Sequence, residues 1–255
     1  MTYYAPAKVN IFLKITGRRG DYHTLRSRFV RLKEPVDTIH FIPSRSTGRT
    51  FRWRASAPLP ETNTLTRAYE LLLEVNREKV ERFFDTHTLF LDKAIPTGAG
   101  LGGGSSDAAT FLKACNEEIG LKLSTKKLAA IGEKIGADVP FFIYDYPSAN
   151  VEGIGEIIHP FDEEPPALSL MTPPVHCDTA KVYGYYRTHL LSRARPDAGK
   201  KWLQTPSREL LATLSPEEAN DLYLPAKVLY PELAPPKAGT WFLSGSGSTF
   251  FQVAL

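Results

Sequence analysis

The sequence is short of the features that usually betray a protein's class at once. Cysteine is nearly absent: Cys115 and Cys177 stand far apart, in no metal-ligand spacing. Two cysteines do not make a disulfide framework, so a reducing compartment is expected, by default the cytoplasm. The six histidines are scattered, with no HExxH and no Cys/His cluster. That argues against a structural zinc site, and no protein metal site is expected. No apolar run approaches the roughly 18 residues of a membrane-spanning helix, so no membrane association is expected. The first eight residues, MTYYAPAK, lack the basic, apolar, small-residue progression of a secretion signal. No charge sign dominates either: 31 Lys and Arg stand against 28 Asp and Glu, a net +3, too balanced to call for nucleic acid. Internal repeats and low-complexity segments are missing as well.

The remainder is ordinary globular composition, 42% hydrophobic and 23% charged over 255 residues, enough for one large domain or two modest ones. Residues 8–16, 29–32 and 38–42 alternate and are rich in β-branched and aromatic side chains, so they are expected to be strands, with 17–23 a polar loop between them. Residues 63–76 carry apolar side chains at helical spacing behind a capping Thr62 or Asn63. A strand over 86–92 leads into a glycine-rich turn and two further helices, ended by Gly120 and Gly136. An apolar strand is expected at 140–144. Composition loosens around 147–155, which places a boundary between domains 1–150 and 151–255. The second half reads as a strand at 167–171, a helix at 180–191, a basic loop at 193–201, two helices and a terminal hairpin at 241–253. Strands and helices mixed in both halves indicate the α+β class.

The sharpest feature is Pro96-Thr97-Gly98-Ala99-Gly100-Leu101-Gly102-Gly103-Gly104-Ser105-Ser106, with five glycines in the seven positions from Gly98. It lies between a strand and an amphipathic helix. Glycine lets the backbone approach a ligand closely, and the unpaired N–H groups and dipole of a helix start form an anion site. This is chemistry for phosphates. No Gly-Lys-Ser/Thr closes the loop, and no ribose-binding acid follows it, so it is neither a Walker A loop nor a dinucleotide fingerprint.

That run resembles the phosphate-binding motif of the GHMP kinases. Other segments resemble the same superfamily in order: Ala5-Pro6-Ala7-Lys8-Val9-Asn10, Gly17-Arg18-Arg19-Gly20-Asp21-Tyr22-His23, Gly136-Ala137-Asp138-Val139-Pro140, Gly153-Ile154-Gly155-Glu156, Asn220-Asp221 and Ser244-Gly245-Ser246-Gly247. The triple glycine and double serine are similar to the branch that phosphorylates a cytidine diphosphate-linked methylerythritol. The Tyr-His segment departs from that branch by lacking a glycine between Asp21 and Tyr22.

The resemblance implies a two-domain GHMP kinase fold: a ribosomal S5 domain 2-like N-terminal domain and a ferredoxin-like C-terminal domain, with the active site in the cleft between them. It implies ATP as co-substrate, with Mg²⁺ expected on chemical grounds, and a small-molecule acceptor phosphorylated on its 2-hydroxyl in non-mevalonate isoprenoid precursor synthesis. A monomer or weak homodimer is expected. Lys8 and Asp138 are the implied catalytic residues. Pro96 to Ser106, with Asn63 and Lys93, would hold ATP; Asn10, Tyr22, His23, Thr179 and Tyr183 would hold the acceptor.

Residue type alone suggests plainer roles: Asp138 and Asn63 as helix caps, Lys8 and Lys93 as solvated strand residues, Tyr22 and His23 as ordinary surface, and Tyr183 as a core tyrosine. A GHMP kinase of the homoserine or mevalonate type stays open, although those loops usually read GLGSSAA. So does a non-catalytic nucleotide- or RNA-binding protein on the same fold.

Overall fold

The computed structural model describes residues 1–44 and 51–254. In chain order its elements are β1 (Thr2–Arg19), β2 (Tyr22–Pro43), β3 (Trp53–Ala55), α1 (Thr64–Thr86), β4 (His87–Asp92), α2 (Gly103–Glu118), α3 (Thr125–Glu133) and α4 (Val139–Tyr144). Then come β5 (Ser148–Gly153), β6 (Ile157–Pro160), β7 (Leu168–Met171), α5 (Thr179–His189), α6 (Ser207–Thr213), α7 (Pro216–Ala219), α8 (Tyr223–Leu229), β8 (Phe242–Leu243) and β9 (Phe250–Val253). This is the α+β content that the sequence pattern indicates.

The chain forms two compact units that interleave in sequence, a different partition from halves meeting at residue 150. One holds Met1–Ala7, Lys33–Ile95 and Gly103–Asp145; the other holds Lys8–Leu32, Pro96–Gly102 and Tyr146–Leu255. In the first unit the later part of β2 pairs antiparallel with β4, from Thr38 opposite Asp92 to Pro43 opposite His87, and β4 pairs parallel with β3. Helices α1 to α4 complete it. Phe41, Phe84 and Phe111 meet edge-on or tilted, with centroids 6.0–6.2 Å apart, and all three are fully buried. Each such ring contributes about 1.5–3 kcal/mol through its removal from water. In the second unit the early part of β2 pairs antiparallel with β5, and β5 with β6. A separate sheet, ordered β7-β9-β8, packs its Leu243 and Phe250 with Leu13, Ile15, Val182 and Tyr186.

Three local expectations are corrected. Residues 17–23 are not a loop: β1 runs to Arg19 and β2 begins at Tyr22, with Gly20 at φ +61° making a two-residue turn. The alternation that marks the strands simply continues into that segment. The helix begun at Thr64 does not stop at Asn76. Asn76 leaves helical dihedrals (φ −159°, ψ 86°), and its side-chain Oδ1 accepts from the Lys79 N–H at 3.0 Å, so it caps a second helical stretch reaching Thr86. Residues 139–144 are helix, not strand. Pro140 in the first turn presets a helical φ, and Asp145 at φ +62° closes the end. An apolar run of this length has no period of its own to separate the two outcomes.

Candidate active site

The glycine-rich run divides between the units. Its first part, Pro96–Gly102, belongs with the second unit, where its carbonyls are taken one after another. Gly98 O accepts from the Cys177 N–H (3.3 Å), Ala99 O from the Thr249 N–H (3.1 Å), and Leu101 O from the Lys8 N–H (3.0 Å). Gly100 O accepts from the Ser244 hydroxyl (2.9 Å) and the Lys8 ammonium (3.3 Å). Gly100 sits at φ +73°, and a Cβ built there would lie 2.1 Å from Ser244 O. Only glycine fits, and the reason is the β8–β9 turn.

Lys8 is therefore not a solvated strand residue. It is buried, its ammonium lies 2.6 Å from Asn10 Oδ1, and it stands 4.6 Å from the centre of the Phe29 ring. Lys8 and Asn10 share one face of β1 by the two-residue period. The Asn10 amide donates to Ser27 Oγ at 3.0 Å, so both its ends already have protein partners. Thr179 Oγ1 lies 2.8 Å from Ser246 Oγ, at the turn that also contacts Gly100.

Tyr22 and His23 begin β2, and adjacent strand residues face opposite ways. Tyr22 is 66% exposed and His23 only 8%. The His23 ring lies 5.3 Å from Tyr183, tilted by 37°, and 5.9 Å from Tyr186, edge-on. Its Nε2 is buried with no hydrogen-bond partner among the described residues. Burial, then the positive charges of Arg18 and Arg187, hold its pKa below the usual imidazole value. Tyr186, three residues beyond Tyr183 on α5, escaped the sequence reading, although helical spacing puts the two on neighbouring faces.

The second part of the run opens α2 in the first unit. The N–H groups of its first turn have no intrahelical acceptor. Among the described residues the buried Ser106 Oγ and Asp107 Oδ1 also lack partners. Gly103 rests on the chain below it: a Cβ there would meet Ile95 Cγ2 at 2.9 Å and Lys93 Nζ at 3.4 Å. On Gly104 a Cβ would meet nothing closer than Thr64 Oγ1 at 3.6 Å.

Lys93 is not a solvated strand end. Its side chain is buried and paired with both Asp37 and Asp107, the latter at 2.8 Å. Burial works against its charge, but the two carboxylates overcome that and raise its pKa. Asp107 is pushed up to about 7 by burial; Asp37 adds to the rise, and Lys93 opposes it. Neither aspartate was singled out in the sequence. Asn63 does cap α1, accepting from the Leu65 and Thr66 N–H groups in a capping box. Asp138 stands at the start of α4 but makes no side-chain capping bond, so the plain cap role is not what it does. It lies two residues after Gly136, whose built Cβ would be 3.7 Å from Ser105 Oγ.

The N-terminal domain of the GHMP kinases matches residues 63–146. A 4-diphosphocytidyl-2-C-methyl-D-erythritol kinase of Sulfurovum sp. (strain NBC37-1) is 49% identical over 250 residues, covering 98% of this chain and 97% of that one. One of the same name from Sulfurimonas denitrificans is 45% identical over 255 residues, covering 98% and 96%. A crystal structure of 4-(cytidine 5'-diphospho)-2C-methyl-D-erythritol kinase superimposes with a TM-score of 0.75 at 32% identity, covering all of this chain and 90% of that one. Mevalonate kinase of Methanococcus jannaschii shares the fold, with a TM-score of 0.60 at 14% identity over all of this chain and 90% of that one.

Proposed function

This chain belongs to the 4-diphosphocytidyl-2-C-methyl-D-erythritol kinases of the GHMP superfamily, and on that premise we propose that it transfers the γ-phosphoryl group of ATP to the 2-hydroxyl of 4-diphosphocytidyl-2-C-methyl-D-erythritol. The reaction is a step of non-mevalonate isoprenoid precursor synthesis. The observation that carries the reading is the first turn of α2, where backbone donors without an intrahelical acceptor, two serine hydroxyls and the bare backbone of Gly104 stand together. Such a turn takes phosphate oxygens through N–H groups aligned with the helix dipole.

In the proposed step Asp138 accepts the proton of the acceptor hydroxyl as its oxygen bonds to the γ-phosphorus. The bond from that phosphorus to the β–γ bridging oxygen breaks, and ADP leaves. Transfer of this kind depends on positioning and charge stabilisation more than on covalent help. Lys8, held by Asn10 and Gly100 O, supplies fixed positive charge against the charge spread over the transferring group. Asn63 and Lys93 border the nucleotide; their side chains are already committed to protein partners. Mg²⁺ bound with ATP would neutralise phosphate charge. Among the described residues no three His, Cys, Asp or Glu cluster, and the buried, unpartnered Ser106 hydroxyl is an oxygen donor of the kind that ion takes.

The acceptor's cytosine fits His23 and Tyr183. A flat base covers an aromatic wall, and its polar edge satisfies the orphaned Nε2. Tyr22, exposed beside them in sequence, and Thr179 complete the proposed acceptor contacts. We place the enzyme in the cytoplasm on its two free, buried thiols.

The test is ADP release by the purified chain with ATP and three acceptors in parallel: the cytidyl substrate, mevalonate and homoserine. Turnover is expected with the first alone, and comparable turnover with either other acceptor overturns the reading. Asp138→Asn is expected to lose at least about 10²-fold in kcat, the usual worth of a general base, with an unchanged melting temperature.

A further inference from the structure

The β2–β4 ladder ends at Thr38 opposite Asp92. One residue beyond it, Asp37 takes over with a side chain where the ladder stops. Its Oδ1 accepts from the Ala94 N–H (2.6 Å) and the Ile95 N–H (2.7 Å), and its Oδ2 accepts from the Lys93 ammonium. One fully buried carboxylate thus gathers donors from three consecutive residues. Those residues lead directly into the glycine-rich run. They also carry its far end, since the Ile95 and Lys93 side chains lie under Gly103, and Lys93 reaches on to Asp107 in α2.

We propose that Asp37 is a positioning residue for the nucleotide. Through Lys93 and Ile95 it sets the height and direction of the first turn of α2, and with it the backbone donors that meet the phosphates. The physical basis is that charge-assisted hydrogen bonds are short and directional. Three of them on one carboxylate leave residues 93–95 a single arrangement. Phosphate donors displaced by a fraction of an ångström lose much of their effect. The inference rests on the kinase reading and deepens it at the same site. Asp37 acts at a distance, through the floor of the turn.

The experiment measures ATP Kd by calorimetry and the KM values of both substrates for wild type and Asp37→Asn. The amide keeps the shape but turns an N–H group toward the Lys93 ammonium. The expected result is an ATP Kd and KM raised about tenfold or more, with the acceptor KM within twofold. ATP constants unchanged in a folded variant overturn the proposal, as do equal rises for both substrates. Should Asp37→Asn not fold, Lys93→Gln severs the bridge to Asp107 while leaving the Ala94 and Ile95 bonds. A rise of at least threefold in ATP KM alone is then expected, and no rise overturns the proposal. Wild-type protein that binds no ATP would sink the kinase reading itself, a result distinct from variants that bind ATP as well as wild type does.

Discussion

In the first half of the glycine-rich run the carbonyls of Gly98, Ala99, Gly100 and Leu101 all accept hydrogen bonds from the protein. In the second half, from Gly103 to Asp107, the first-turn N–H groups have no intrahelical acceptor, and among the described residues one hydroxyl and one carboxylate oxygen have no partner. Both halves are glycine-rich, and they use glycine for different ends. Gly100 is needed so that the chain can bend to φ +73° under Ser244, whereas Gly104 leaves backbone bare on the open side of a helix start. The first half is held by the protein, and the second is the part that the proposed reading gives to phosphate.

The comparison breaks first at Gly100. Gly100→Ala forces a Cβ to 2.1 Å from a backbone oxygen at a left-handed φ, and is expected to cost about 3 kcal/mol or more in stability by denaturant unfolding. A loss below about 1 kcal/mol would show that the closed half is not closed. A smaller effect is expected from Ser106→Ala. Its hydroxyl has no partner to lose among the described residues, so unfolding free energy is expected to stay level or rise, while ATP binding weakens by about 1–2 kcal/mol. The opposite pattern, lost stability with ATP affinity intact, would place Ser106 in the closed half.

The third test is a pair of opposed pH effects. Asp107 has a folded pKa raised to about 7 from 3.8, so its contribution to stability is full below 3.8 and is lost as pH rises through about 7. Asp107→Asn mimics the protonated form and is expected to gain on wild type at pH 8 relative to pH 5. His23 has its pKa lowered from 6.5, so its contribution is present above 6.5 and falls away as pH drops. His23→Gln is expected to lose that slope alone. Unfolding curves at the two pH values that run parallel for wild type and variant would remove the corresponding assignment.

What could be read in advance was mostly local. The Asn63 cap and the helix that grows out of the glycine-rich run rest on interactions within three or four residues, and they leave a mark in the order of residue types; the ends of β1 and β2 did not, because the alternation continues through residues 17–23. The helix at Val139–Tyr144 did not, because its apolar run is too short to show a period and packing on its neighbours decided it. The burial of Lys93 could not be foreseen either. A lysine at a strand end is ordinarily solvated, and the carboxylate that draws it inward is 56 positions away in sequence.

By itself, then, the sequence determined the glycine- and serine-rich helix start of residues 96–106 on which the proposed phosphate binding rests, because such patterns act through the nearest backbone. Only the tertiary structure decided which glycines face the protein and which stand open, that His23 is buried with a nitrogen unsatisfied among the described residues, and that Asp37 holds residues 93–95 beneath Gly103. Each of those outcomes depends on which distant backbone or charge comes to lie within hydrogen-bond reach, and that is set by strand pairing and packing.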